Sequence, residues 1–141
     1  MTVFADSSAL VKLYADETGA DLVRAHPLFV VSAVARVEVP AAIWRKHRVG
    51  ELSADDAGVL ARAFAADWHD ERGPFVPVAL GPALLGGAAE LVATHGLRAY
   101  DGVQLACATA ARAADPDVDT LLCFDAELSE AAAREGFSLA V

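Results

Sequence analysis

The sequence predicts an α/β fold, in which a parallel β-sheet is covered on both faces by helices. Five short apolar runs, each about as long as a strand, recur along the 141 residues, and longer helix-compatible stretches separate them. Short buried strands that alternate with helices are typical of such a sheet. Hydrophobic residues make up 55 % of the chain, which is enough material for a buried core. We therefore expect one domain spanning residues 1–141.

The predicted strands are short and mostly apolar. A run of this kind, bounded by turn or helix signals, is consistent with a strand that is buried on both faces. The five runs occupy residues 3–5, 28–31, 75–79, 121–124 and 138–141.

Helix-capping residues follow the first two predicted strands. Ser7 or Ser8 is expected to cap a first helix, and a short second helix should follow Thr18. Ser32 is expected to cap a third helix, which Pro40 should bend because proline removes a backbone hydrogen bond. The apolar stripe predicted to face the core on this helix consists of residues 34, 37, 41 and 44.

Start and stop signals define four further helices. Ser53 begins a fourth helix, and Pro82 begins a fifth that Gly96 closes. Asp101 is expected to begin a sixth, and Asp125 lies where the next strand ends and the last helix starts.

Charge and cysteine content restrict the classes of partner and compartment. Eleven Lys and Arg residues against twenty Asp and Glu give a formal charge of −9, which suits a basic protein partner. A nucleic-acid site would have to be local, built from bound cations and a few clustered basic side chains. The sequence shows neither a signal-peptide pattern nor a membrane span, so the cytoplasm is expected. Cys107 and Cys123 are predicted to be buried thiols in a reducing compartment.

Four carboxylates lie at the edges of apolar segments: Asp6, Glu38, Asp101 and Asp125. Asp6 and Asp125 each end a predicted strand, and the carboxyl ends of parallel strands share one edge of a sheet. Glu38 has alanine and valine as its neighbours one turn away on its helix, which is a poor environment for a lone charge.

Clustered carboxylates with little water repel one another unless a cation joins them. Oxygen ligands suit Mg²⁺ or Mn²⁺, which would support phosphodiester hydrolysis. Ser7 or Ser8 could hold a carboxylate. The alternative is that each of the three aspartates only caps a helix and that Arg45 or Lys12 pairs with Glu38.

Four segments resemble the PIN-domain ribonucleases, and most closely the VapC toxins of bacterial toxin–antitoxin pairs. They are "ADSSALVKLY", "SAVARVEV", "LRAYDGVQLACA" and "LLCFDAEL", in family order from residue 3 to about residue 130. The resemblance implies a three-layer α/β/α sandwich around a central parallel sheet. It also implies an RNA-cleaving pocket that binds Mg²⁺ or Mn²⁺ through Asp6, Glu38, Asp101 and Asp125.

The same resemblance implies supporting residues and partners. The hydroxyl after the first aspartate corresponds to Ser8, or otherwise Ser7, while Cys123 stands where the family commonly has Ser or Thr. Asp119 is a weaker competitor of Asp125 for the position of the fourth acidic residue. The usual partner is a VapB-type antitoxin with a basic DNA-binding end, and the usual toxin is a homodimer that cleaves RNA.

Several basic residues could contact the phosphates of RNA. Lys12 and Arg36 are predicted on the helices that follow Asp6 and carry Glu38, and Arg98 precedes Asp101. The only dense basic cluster is "WRKHR", residues 44–48, which includes Arg45. It is more simply interpreted as the last turn of a helix, with Trp44 in the core.

Other α/β classes fit the sequence less well. A haloacid-dehalogenase-like phosphatase needs a second aspartate two positions after the first, where this chain has Ser8. A response-regulator receiver needs paired acids early and a late lysine, and no lysine follows Lys46. The alternative outside catalysis is an inactive PIN-like interaction module with the same fold.

Overall fold

Five parallel strands form the central sheet of the computed structural model, which describes residues 2–141. The strands are β1 (Val3–Ala5), β2 (Phe29–Ser32), β3 (Phe75–Val78), β4 (Thr120–Leu122) and β5 (Ser138–Leu139). Their order in the sheet is β3-β2-β1-β4-β5, and every neighbouring pair is parallel. β1 therefore lies at the centre, and the order changes direction there, which is where ligands bind in open parallel sheets.

Helices connect the strands. They are α1 (Ser7–Leu10), which continues as a 3₁₀ turn (Val11–Leu13), α2 (Ala20–Arg24), α3 (Ala35–Arg48), α4 (Ala54–His69), α5 (Pro82–His95), α6 (Ala99–Ala114) and α7 (Ala126–Arg134). No helix within residues 2–141 is long and apolar enough to cross a membrane.

The sheet separates two hydrophobic cores. Val3 and Ala5 point to the core that α3 and α4 cover, whereas Phe4 points to the core that α6 and α7 cover. This alternation explains why β1 is apolar at every position, since both of its faces are buried. The predicted three-layer α/β/α sandwich is confirmed.

Several predicted helix ends are confirmed. Ser53 caps α4 by accepting a hydrogen bond from the Asp56 amide (3.0 Å), and Asp125 caps α7 by accepting from the Leu128 amide (3.0 Å). α5 begins at Pro82 and is followed by Gly96 with φ +67°, a conformation that glycine adopts without strain. The short helix expected after Thr18 is α2.

Three predicted caps are wrong. Asp6, rather than Ser7 or Ser8, caps α1, because its Oδ1 accepts from the Ala9 amide (3.1 Å). Ser32 is the last residue of β2, and α3 starts only at Ala35. α6 begins at Ala99, so Asp101 lies inside its first turn rather than at its cap.

The predicted apolar stripe of α3 is also wrong. The helix buries Ala35, Val39 and Ile43, while Val37 is 69 % exposed and Trp44 is 37 % exposed. Ala35, Val39 and Ile43 pack in the same buried cluster as Ala57 and Phe64 of α4, so packing against α4 and the sheet selects this stripe. Pro40 lies inside α3 as predicted.

Candidate active site

Asp6 is the most deeply buried of the four carboxylates, with 5 % of its surface exposed. It lies between β1 and α1, where the Ser8 hydroxyl donates to Oδ1 (2.6 Å) and the Cys123 thiol donates to Oδ2 (3.2 Å). Burial raises the pKa of Asp6 to about 6, although the hydrogen bonds from Ser8, Cys123 and the Ala9 amide oppose this effect.

Glu38 extends from α3 towards α1 and α6. Its Oε1 accepts hydrogen bonds from the Ser7 hydroxyl (2.9 Å) and from the Gln104 amide nitrogen (2.8 Å). Burial raises the pKa of Glu38, and the nearby charge of Asp101 acts in the same direction. The alternative in which Arg45 or Lys12 pairs with Glu38 is wrong, because the hydrogen bonds to Glu38 come from the neutral side chains of Ser7 and Gln104.

The guanidinium group of Arg98 lies close to both Asp101 and Asp125. Arg98 Nε lies 3.5 Å from Asp101 Oδ2, and Arg98 Nη2 lies 3.4 Å from Asp125 Oδ2. Burial and the Asp125 charge raise the pKa of Asp101, and Arg98 opposes them. Asp101 Oδ2 is buried and accepts no hydrogen bond from any of residues 2–141. The ion pair with Arg98 Nε is the contact that offsets the burial of this oxygen.

The structure therefore brings all four predicted carboxylates to the carboxyl edge of the sheet. Electrostatic coupling runs from Asp6 to Glu38, from Glu38 to Asp101, and from Asp101 to Asp125. Asp119, the weaker competitor, precedes β4 and accepts from the Thr120 hydroxyl (3.1 Å), which places it at the opposite edge.

The four carboxylates are suitable ligands for a divalent cation, although their oxygens do not converge on one point. Carboxylate oxygens are the ligands of Mg²⁺ and Mn²⁺, and the buried Asp101 Oδ2 is one such oxygen. Among the described residues, no three His, Cys, Asp or Glu side chains meet in an arrangement that could hold a metal ion. In this arrangement, serine, amide, thiol and guanidinium groups contact the carboxylate oxygens.

The loop after β4 joins Asp6 to Asp125. β4 ends at Leu122, so Cys123 and Phe124 lie in this loop rather than in the predicted strand. The Ser8 hydroxyl accepts from the Phe124 amide (3.0 Å), and the Cys123 sulfur accepts from the Asp125 amide (3.3 Å). Cys123 thus contacts the Asp6 carboxylate and the Asp125 backbone. Cys107 and Cys123 are buried free thiols, as predicted.

Of the four predicted basic contacts, only Arg98 reaches the carboxylates. Lys12 instead binds Glu17 (3.0 Å) and the Thr18 carbonyl (2.7 Å) and lies 4.5 Å from the Phe124 ring centroid. Arg45 is exposed and Arg36 is half-buried, and neither forms an ion pair within the described chain. Trp44 is not in the core, contrary to the sequence interpretation.

Sequence reasoning missed Gln104 and the bridging position of Arg98. Gln104 is 2 % exposed and donates to both Glu38 and Ser7. A signal was available, because Gln104 lies three residues after Asp101 and therefore on the same face of α6.

Comparison with known proteins identifies the family. The family model of the PIN domain matches residues 3–134. The chain belongs to the PIN-domain family. Proteins of this family are nucleases that generally use a divalent metal.

A solved structure shares the PIN fold. It is Mycobacterium tuberculosis VapC20, described as a toxin that cleaves the sarcin–ricin loop. The two structures align with a TM-score of 0.64 over 96 % of this chain and 95 % of VapC20, at 14 % sequence identity. No curated protein sequence matches the chain.

Proposed function

We propose that this PIN-domain chain is a divalent-metal-dependent endoribonuclease that acts as the toxin of a type II toxin–antitoxin pair. One observation carries the proposal: Asp6, Glu38, Asp101 and Asp125, from four chain segments, lie along the carboxyl edge of a PIN sheet, where each carboxylate acts electrostatically on the next. Two further observations support it, namely the raised pKa values of three of these acids and the buried Asp101 Oδ2, whose nearest protein partner is Arg98 Nε at 3.5 Å.

The four carboxylates are the proposed ligands of Mg²⁺ or Mn²⁺. When bound, such an ion would supply Lewis acidity for hydrolysis of an RNA phosphodiester bond. Asp6 and Glu38 are held by hydrogen bonds from Ser8 and Ser7, which restrict the directions of their oxygens. We assign Ser7 and Ser8 as supporting residues for this reason.

Arg98 is the proposed phosphate contact nearest the chemistry. Its side chain is 76 % exposed yet touches both Asp101 and Asp125, so it can turn towards an RNA phosphate without leaving the site. Arg36 and Arg45 are also proposed to contact RNA. Lys12 is less suited than the sequence suggested, because Glu17 and Thr18 already bind its ammonium group.

The proposed macromolecular partners follow from the PIN fold and from charge. VapC20 is a toxin, and this chain carries a formal charge of −9, which would complement the basic segments of a VapB-type antitoxin. We also propose a homodimer, and we propose that residues 1–141 act as one domain. Light scattering of the purified protein tests the dimer, because a monomer mass would contradict it.

RNA cleavage by the purified protein tests the proposed activity. Total bacterial RNA is incubated with Mg²⁺ or Mn²⁺, with and without chelator. We expect discrete fragments from the wild type and none from Asp101→Asn. The matched control is Asp117→Asn, which neutralises an exposed aspartate outside the site and should cleave normally. Circular dichroism establishes that each variant is folded.

An inactive interaction module is the contrary outcome. It predicts no cleavage and no rise in melting temperature with Mn²⁺, whereas an ion that binds only the folded chain must raise that temperature. Metal-dependent cleavage that survives in folded Asp101→Asn would reject the role assigned to Asp101.

A further inference from the structure

Gln104 forms a closed hydrogen-bonded triangle with Ser7 and Glu38. Its Nε2 donates to Glu38 Oε1 (2.8 Å) and to Ser7 Oγ (3.1 Å), while the Ser7 hydroxyl donates to the same Glu38 oxygen (2.9 Å). Every donor in this triangle has an acceptor. The triangle joins α1, α3 and α6 at Glu38 Oε1.

The orientation of the Gln104 amide is determined by Glu38. If the amide were turned over, its carbonyl oxygen would face the carboxylate oxygen of Glu38, and two acceptors would be in contact without a proton between them. In the orientation present, both contacts come from the amide nitrogen.

This orientation leaves the Gln104 carbonyl unsatisfied. Gln104 is 2 % exposed, and its Oε1 is buried without a hydrogen-bond partner among residues 2–141. Methionine or leucine would fill a similar space without burying an unpaired carbonyl. Packing alone therefore does not account for glutamine at this position, whereas a requirement for an amide donor does.

Both hydrogen bonds to Glu38 use Oε1. Within the described chain, Oε2 accepts no hydrogen bond from a protein donor. The triangle fixes one side of the carboxylate and leaves the other oxygen open. Asp101 lies one turn before Gln104 on α6, so the same helix carries a proposed ligand and the donor that orients a second.

We propose that Gln104 is a positioning residue of the acidic site, which orients Glu38 through Oε1 so that Oε2 is presented to a divalent cation. The role of the cation in this assignment rests on the proposed function. The orientation of Glu38 by Gln104 does not depend on a bound cation. Donors that orient metal-ligating carboxylates typically change metal affinity by about 10- to 100-fold when removed.

The test replaces Gln104 by methionine and measures three properties. These are the position of Glu38 in crystals of the metal-free protein, the dissociation constant for Mn²⁺ by calorimetry, and the melting temperature in chelator. Thr109→Val is the matched control, because it removes a polar group from α6 whose hydroxyl contacts only the Ala106 carbonyl.

We expect Gln104→Met to displace Glu38 and to weaken Mn²⁺ binding about tenfold or more, with a melting temperature equal to or above that of the wild type. Thr109→Val should leave Glu38 and Mn²⁺ binding unchanged. A purely structural glutamine would instead give a lower melting temperature with Glu38 in place and Mn²⁺ affinity unaltered, which would overturn the assignment.

Two provisions keep the test decisive. If Gln104→Met does not fold, Ser7→Ala removes the other donor to Oε1 and leaves Gln104 as its remaining donor. Glu38 should then keep its position, and a displaced Glu38 would overturn the assignment to Gln104. If the wild type binds no Mn²⁺, the proposed function fails, and the metal-free crystals alone decide whether Gln104 positions Glu38.

Discussion

Replacing Asp6 by asparagine should stabilise the metal-free protein at neutral pH. Asp6 is 5 % exposed, and burial raises its pKa to about 6, against 3.8 for an ordinary aspartate. A difference of about 2 in pKa corresponds to about 3 kcal/mol of free energy that the folded chain loses when Asp6 ionises. Asparagine occupies nearly the same volume without the charge, so it avoids this loss.

Hydrogen bonding reduces the expected gain. Asparagine Oδ1 can still accept from Ser8 and from the Ala9 amide, but its amide nitrogen would replace the oxygen that faces the Cys123 thiol. Losing one hydrogen bond of this kind costs about 1 kcal/mol. We therefore expect Asp6→Asn to raise the free energy of unfolding by about 2 kcal/mol at pH 7.5.

The gain should depend on pH with a definite sign. Because the folded-state pKa of Asp6 lies above its unfolded value, the folded wild type binds the proton more tightly than the unfolded chain does. The stability that this proton contributes is complete below about pH 4 and is lost as the pH rises through about 6. The advantage of Asp6→Asn should therefore be absent at pH 4 and fully developed at pH 7.5.

Urea unfolding monitored by circular dichroism, in chelator at pH 4, 5, 6 and 7.5, measures this difference. Asp117→Asn, at an exposed position, should match the wild type throughout. A lower stability of Asp6→Asn at pH 7.5, or an equal difference at pH 4 and 7.5, would refute the reasoning. Adding Mn²⁺ should then stabilise the wild type but not Asp6→Asn.

Three further substitutions have clear expectations. Phe64→Ala should lower the free energy of unfolding by about 3–5 kcal/mol in urea titrations, because this ring is fully buried among three other aromatic rings; a loss below about 1 kcal/mol would contradict that packing. Ser53→Ala should cost about 1 kcal/mol by removing the cap of α4, and Ser53→Asp should restore most of it; equal stability of all three would exclude a capping role. Arg98→Gln should tighten Mn²⁺ binding in calorimetry, since its guanidinium competes for Asp101 and Asp125; weaker binding would show that Arg98 supports the cation instead.

The sequence by itself determined the α/β class, the parallel sheet and the delivery of Asp6 and Asp125 to one edge of that sheet. Strand burial appears as an unbroken apolar run at residues 3–5, and the helix ends at Ser53, Pro82 and Gly96 follow from local chemistry of caps and backbone angles. Asp6 and Asp125 were predictable because parallel strands deliver their carboxyl ends to one edge. These features depend on neighbours in the chain, which the sequence displays directly.

Tertiary structure decided which of two apolar stripes of α3 is buried. Residues 34, 37, 41 and 44 and residues 35, 39 and 43 are both apolar sets, so periodicity alone could not choose between them. Tertiary structure also decided the partners of the basic residues. Lys12 was predicted to contact RNA, but its ammonium group binds Glu17.

The contacts that define the candidate site were likewise set by packing through space. Gln104 meets Glu38 across a separation of 66 residues, and Cys123 meets Asp6 across 117. The raised pKa of Asp6 is a consequence of such contacts, because it depends on how much water the surrounding elements exclude. The sequence supplies the carboxylates. The packing of α1, α3 and α6 at the sheet edge determines their hydrogen-bond partners and raises the pKa of Asp6.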